Sequence, residues 1–390
     1  MGQGVPEITT DIWSAQNISA PVRRRWTDMC TANPALYSPY FSYAYTQFIS
    51  RLCKDVYVLE VKEAQETIAL LAFQGQRASN GTFASIRPVG TPMTDYHGFI
   101  CAPDTKLDVV YILAQAGIGS YSYSALVNSG DFTQHTDRSR EKCTVMDLSE
   151  GAEKWRAARD SSYRRHLKSN RRRIRKSEEL GERRFEFNCT SQDVFDQLIT
   201  WKREKFHQTG KFDVLGAAWT VPLLKTLWQE GKTADLRADM HALYFGDQLA
   251  AVDLGLSDGT TFHSWMVAYN HEFHHLAPGI QLLEGLIDES ASLGYQRLDL
   301  GAGTDGYKRQ YASEDIHVTS GYIAARGLNA LRCKLYGDLE QFGENHLGRI
   351  GKLPAKARRR YAQISACEPR LGKRTKAMIQ ALKGAPRTLE

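Results

Sequence analysis

Apolar and polar positions are patterned most clearly between residues 184 and 300. The run "RFEFNC" (184–189) alternates as a strand does. Two helical stretches are expected next, about 191–208 and 220–230. Val194, Leu198 and Trp201, then Leu223, Leu224, Leu227 and Trp228, recur there at helical spacing. Three strands follow as a meander. "DMHALYF" turns at Gly246-Asp247, "LAAVDLGL" turns at Ser257-Asp258-Gly259, and "TFHSWMVAY" closes it. Residues 279–293 read as one helix with Leu282, Leu283, Leu286, Ile287 and Ala291 on a face, stopped by Gly294. "YQRLDL" (295–300) and "IHVTSGYIA" (316–324) read as further strands.

The resulting order, β-α-α-β-β-β-α-β-β, is echoed upstream. Helices are expected near 19–32, 40–53 and 105–117. Strands are expected near 55–61, 66–74, 82–88, 120–127 and 142–148. The echo lies in element order, not residue identity. It predicts two similar α/β domains, 1–150 and 181–326, joined by a basic helical connector, 151–180. Residues 327–390 form a last helix, with Leu328, Leu331, Leu335, Leu339 and Phe342 at one face, and a tail.

Composition sharpens this only in places. The seven cysteines are scattered with no CxxC, which argues against a zinc site or disulfide framework and for a reducing compartment. The opening "MGQGVPEITTDIW" has neither basic nor apolar signal regions, so a soluble, cytoplasmic chain is expected. The net charge of +6 is uneven. From Arg349 onward stand twelve Lys or Arg against Glu368 and Glu390, a balance of +10, leaving the body at −4. "RRHLKSNRRRIRK" (164–176) carries eight basic residues in thirteen, on every helical face. It reads either as a solvated helix or as a contact for nucleotide, tRNA or anionic-polymer phosphates. "RTKAMIQALK" (374–383) is a short basic amphipathic stretch suited to an anionic membrane face.

Three motifs invite chemistry. "LDLGAGTDGYKRQYA" (298–312) contains GxGxxG at Gly301, Gly303 and Gly306. A dinucleotide loop needs a helix after the glycines and an acid about twenty residues on. No apolar helical stripe follows, and the later position falls in "YIAARG". "HEFHH" (271–275) satisfies HExxH, but Pro278 leaves room for one turn at most, so no metal is expected. "HLAPGIQLLEGL" (275–286) enters a helix N-terminus, whose unsatisfied N–H groups suit phosphate.

Together, strand, loop, "PG", helix and "GYQRLDLGAGTDGYKRQYA" resemble the second half of the general N-acetyltransferase (GNAT) superfamily. The resemblance is to its double-domain group, the CelD-like acyltransferases and the related Fem peptidoglycan aminoacyltransferases. "SPYFSYAYTQFI" (38–49) and "DYHGFI" (95–100) are similar to stretches of that group's first domain. The resemblance implies two tandem GNAT-like domains, each a mostly antiparallel sheet flanked by helices. It also implies that strands 261–269 and 296–300 splay around an acyl donor, acetyl-coenzyme A or another acyl-coenzyme A. Donor contacts would then come from Leu276, Ala277, Pro278, Gly279, Ile280, Gln281, Met266 and Val267. The GNAT loop [Q/R]xxGx[G/A] is represented only by Gly279. Candidate bases are Glu272, His263, Asp253 and Asp299. Tyr307 or Tyr311 would protonate the leaving thiolate, and Lys308 would meet substrate phosphates or the reacting carboxyl. Asp95, Tyr96, His97 and Trp265 would face the acceptor.

The function so implied is N-acetyl transfer to an amino sugar of a bacterial envelope or extracellular polysaccharide, beside a lipid-linked intermediate at the inner membrane. Two alternatives stand beside it. One is Fem-like transfer from aminoacyl-tRNA to a peptidoglycan precursor; the other is a nucleotide-responsive module on the same scaffold.

Overall fold

The structure, a computed structural model, describes residues 7–133, 135–303, 306–314, 316–346, 351 and 353–368, with isolated positions beyond. The basic stretch 374–383 lies mostly outside the described residues, as do residues 304 and 305 of the glycine motif. The chain forms two compact units. One comprises 1–140, 217–220 and 318–390; the other comprises 141–216 and 221–317.

The first unit opens with β1 (Ile8–Ser14), a strand the sequence pattern does not announce. Helices α1 (Ala20–Ala32) and α2 (Tyr43–Leu52) follow. Then comes the meander β2 (Val56–Glu63), β3 (Glu66–Arg77) and β4 (Phe83–Pro88). A two-residue strand, β5 (Ile100–Cys101), adds to β3. Strand β6 (Lys106–Asp108) and α3 (Val109–Gln115) lie where a single helix was expected. Strand β7 (Ser120–Val127) runs parallel to β4, and β8 (Asp131–Thr133) pairs with β6. Buried Leu59, Leu71, Phe73, Phe83, Phe99 and Tyr121 form its core.

The second unit is built on β9 (Thr136–Asp147), α4 (Ala152–Ala157) and α5 (Ser161–Glu178). Asp160 caps α5, and Tyr163, Asn170 and Ser177, seven residues apart, are its buried stripe. Arg164, Arg165, Lys168, Arg171, Arg172, Arg175 and Lys176 are exposed. Next come β10 (Arg183–Glu186), α6 (Gln192–Gln208) and α7 (Thr220–Glu230). The short β11 (Lys232–Thr233) precedes the expected meander β12 (Leu236–Phe245), β13 (Gln248–Ser257) and β14 (Thr261–Tyr269). The expected long helix breaks at Glu289 into α8 (Pro278–Asp288) and α9 (Ser290–Leu293). Strand β15 (Arg297–Ala302) follows and pairs antiparallel with β9, so the sheet order is β9-β15-β14-β13-β12-β10.

The chain then returns to the first unit with β16 (His317–Ala324), which pairs antiparallel with β7. Helices α10 (Gly327–His346) and α11 (Leu353–Cys367) follow. Thus the strand after each half of the chain is built into the other unit's sheet. Element order along a sequence does not encode that exchange. Both sheets are mostly antiparallel and flanked by helices, as the resemblance implies.

One irregularity shapes the second sheet. The β13–β14 register shifts between Leu254 and Gly255, so Trp265 is the extra residue of a bulge. Gly255 is required there. A Cβ at that position would collide with the Phe262 ring and come within 2.5 Å of the His263 carbonyl. Gly255→Ala should cost about 1–3 kcal/mol, read as a lower urea midpoint at unchanged m-value.

Candidate active site

Strands β14 and β15 are parallel neighbours for only three residues each: Thr261, Phe262 and His263 against Arg297, Leu298 and Asp299. Strand β14 runs on to Tyr269 and β15 to Ala302, so the two part after that register. The buried His263 and Asp299 stand at the fork, with Nδ1 of the histidine 3.4 Å from a carboxylate oxygen of Asp299. The other Asp299 oxygen accepts from the Gly301 amide at 2.7 Å. Gly301 takes φ 75°, and the β15–β9 register shifts there. The first glycine of the GxGxxG run is therefore a bulge stabilised by Asp299. Lys308–Gln310 form a single 3₁₀ turn rather than the helix a dinucleotide loop requires.

Beyond the fork, β14 carries Trp265, Met266 and Val267. Val267 stands opposite Asp253 of β13 in the ladder. Asp253 is 4% exposed. Ser264 donates to its Oδ2 at 2.7 Å, while its Oδ1 has no hydrogen-bond partner among the described residues. Burial pushes the Asp253 carboxyl up to about 6, against opposing pulls from Ser264, Lys202 and His263. The same carboxylate acts on Tyr307. Burial first, and the Asp253 charge second, raise that phenol to about 12. Tyr307 is 36% exposed. The two groups thus differ in acidity, the carboxyl raised toward neutrality and the phenol held protonated at physiological pH.

Lys202 of α6 completes this group. Its ammonium donates to the Val267 carbonyl at 3.0 Å, on the part of β14 that has left β15. Lys202 also lines a cavity of about 180 Å³, with Lys205, Thr209, Lys211, Val267, Tyr269 and His271 among the lining residues. The start of α8 adjoins the same part of β14, since a Cβ on Gly279 would lie 3.8 Å from Val267 and 3.9 Å from Tyr269. Cationic side chains and a helix N-terminus together suit a phosphate-bearing ligand. Sequence patterning overlooks these lysines because α6 reads as an ordinary amphipathic helix. The available signal was Lys202, Lys205 and Lys211 clustered around the helix end.

The other predicted residues are distributed unevenly. Ala277 has φ 51° and turns the chain into α8, where Pro278 is the first residue. Ile280 donates its amide to the Ala277 carbonyl at 3.0 Å. Leu276 is a core residue, and the fully buried Gln281 donates to the Leu276 carbonyl. Lys308 donates to the Leu300 carbonyl at 2.7 Å, fastening the loop to β15. Tyr311 is fully buried, with its hydroxyl on Glu284 at 2.7 Å, and Tyr163 and Arg156 share that carboxylate. Glu272 lies on the exposed 3₁₀ turn 271–276, where Asn270 accepts from its amide. In the first unit, Tyr96 and His97 are buried, and Asp95 is half-buried. Burial pushes the His97 imidazole down to about 3, so it is neutral at physiological pH.

Residues 162–309 match the family model described as an acetyltransferase (GNAT) domain. No curated protein matches the chain in sequence. Among solved structures, FemX is similar with a TM-score of 0.50 at 8% identity, over 84% of this chain and 100% of that one. A tandem GNAT protein from the clavulanic acid biosynthesis pathway gives 0.45 at 10%, over 82% and 99%. The glucosamine N-acetyltransferase region of a fungal multi-domain GH3 β-N-acetylglucosaminidase gives 0.43 at 10%. That alignment covers 81% of this chain but only 38% of the fungal one. At these identities the likeness is one of fold.

The Asp253 carboxyl makes a prediction about stability. Its folded value of about 6 lies above the unfolded 3.8, so the folded protein retains a proton that the unfolded chain has released between those values. Stability falls as pH rises through that window, and above it the charged form costs on the order of 2–3 kcal/mol. Asp253→Asn should therefore raise the thermal midpoint at about pH 8 and leave it nearly unchanged at about pH 4. Melting curves at the two pH values check this.

Proposed function

We propose, from the match of residues 162–309 to an acetyltransferase (GNAT) domain, that the chain is a GNAT-type acyltransferase that moves an acetyl group from acetyl-coenzyme A to an amino sugar of a bacterial envelope or extracellular polysaccharide. The observation that carries the chemistry is buried Asp253, its acidity shifted by burial and its charge acting on Tyr307. The amino-sugar acceptor rests on the resemblance to the CelD-like group.

In this reading the donor's thioester lies in the opening between β14 and β15. Its phosphates lie toward the start of α8 and toward Lys205 and Lys211. Holding both substrates there supplies rate through orientation. The acceptor nitrogen must lose a proton to attack. Asp253, ionised at neutral pH and carrying an oxygen with no hydrogen-bond partner among the described residues, takes it. A C–N bond forms and the C–S bond breaks. Tyr307 gives its proton to the departing sulfur, so the products are an amide and free coenzyme A thiol. Lys202 contributes by holding Asp253 anionic, since its charge opposes the effect of burial. His263 and Asp299 brace the base of the fork.

Calorimetry with acetyl-coenzyme A tests the donor, and absence of binding at millimolar concentration would sink the reading. In a thiol-release assay with glucosamine as acceptor, Asp253→Asn and Tyr307→Phe should each lower kcat by about 10²-fold or more. Both variants should keep donor affinity within about threefold. The wild-type kcat should rise with pH through about 6, the carboxyl's own titration.

A further inference from the structure

Helix α10 is built inside out. The side it turns to the protein carries Gly337, Glu340 and Gly343, all buried. Gly337 leaves no room for a side chain, since a Cβ there would meet Arg138 at 2.6 Å and the Tyr322 ring at 3.0 Å. The opposite side carries the large apolar residues. Leu328 is 75% exposed, Leu331 54%, Leu335 60%, Leu339 59% and Phe342 57%. Their spacing of three and four places them within one stripe. Isolated exposed leucines are ordinary, but a continuous apolar stripe on the outer face marks a surface made for a partner.

The stripe adjoins a cavity of about 600 Å³, which Leu335 and Leu339 also line. Its other walls include Arg138, Arg332 and Arg358. Arg138 and Arg358 hold the two oxygens of buried Glu340, at 2.7 and 2.8 Å. That single carboxylate leaves an excess of two positive charges around the opening. Arg332 is exposed beside the stripe. Lys334 and Asp338, on the stripe's other flank, cancel one another. The sequence from Arg349 onward adds a balance of +10.

An apolar stripe running into an arginine-lined hollow, followed by a basic tail, is complementary to an amphiphilic anion. We propose that α10 docks this protein on a bilayer containing anionic lipids, with the leucine stripe entering the acyl boundary and the arginines receiving phosphate headgroups. No described helix is long and apolar enough to cross a membrane. The contact is therefore peripheral, with apolar burial and headgroup attraction both required. The proposal does not depend on the acetyl-transfer reading, because every residue it uses belongs to the first unit.

Co-sedimentation of the full chain with vesicles tests it. At low salt the protein should bind vesicles of phosphatidylglycerol and phosphatidylcholine about tenfold more tightly than pure phosphatidylcholine. The triple substitution Leu331→Ser, Leu335→Ser, Leu339→Ser should weaken that binding by about tenfold or more, and Arg332→Glu by a similar factor. These side chains are exposed, so thermal midpoints should be unchanged, and acetyl-coenzyme A binding should be unaffected. Equal binding to both vesicle types, or to neither, would overturn the proposal. Full retention of binding by the triple variant would also overturn it, assigning the contact to the tail. So would a wild-type dimer in sedimentation equilibrium that the triple variant abolishes, which would make the stripe's partner a second copy.

Discussion

The second unit depends on an interrupted ladder. A strand inside a sheet normally has both edges paired, and an unpaired edge carries backbone groups that require another partner. Here β14 loses β15 after three residues, and its outer part must be satisfied otherwise. Lys202 does so at Val267. The β13–β14 register shifts at the Trp265 bulge, and Gly255 gives the bulge room. The α8 N-terminus closes in on the outer part of the strand. Each feature makes sense as a response to the same parting. Beside the outer part of β14 lie the Lys202 ammonium and, across the ladder, buried Asp253, whose Oδ1 has no hydrogen-bond partner among the described residues.

Much of the fold is legible in the chain because its signals are local. The meander turns at Gly246 and Gly259, both at positive φ, with apolar strands on either side. The lead into α8 is marked by Pro278, and the end of α9 by Gly294 in the left-handed region. What escapes is non-local. β1 is short, mixes polar with apolar residues, and owes its place to the ladder with β2. The exchange of β9 and β16 is set by which edge each strand meets, and no residue in either strand announces it. Leu328 to Phe342 form the face that the helical pattern predicts, but that face turns outward.

The candidate site divides the same way. Tyr307, Lys308, Asp299 and the start of α8 stand out because glycines and a proline frame them in sequence. Asp253 is harder to see. It sits within an apolar strand, and its altered acidity comes from burial among groups on β14 and α6. Tyr311 shows the converse. Its position four residues after Tyr307 suggests equivalence, yet one tyrosine is anchored in the core on Glu284 and the other borders solvent. Two tyrosines four positions apart acquire different chemistry from their surroundings alone.

The pairing of β16 with β7 also governs when the protein can come into being. Val318 and Val127 are ladder partners about 190 residues apart, and the intervening chain is mostly the other unit. A ribosome releases the N-terminal end first. The earlier unit must therefore wait, with the edge of β7 uncovered, until almost the whole polypeptide has been made. Its sheet is the first begun and the last finished, and a chaperone that shields one bare edge during synthesis would find it there.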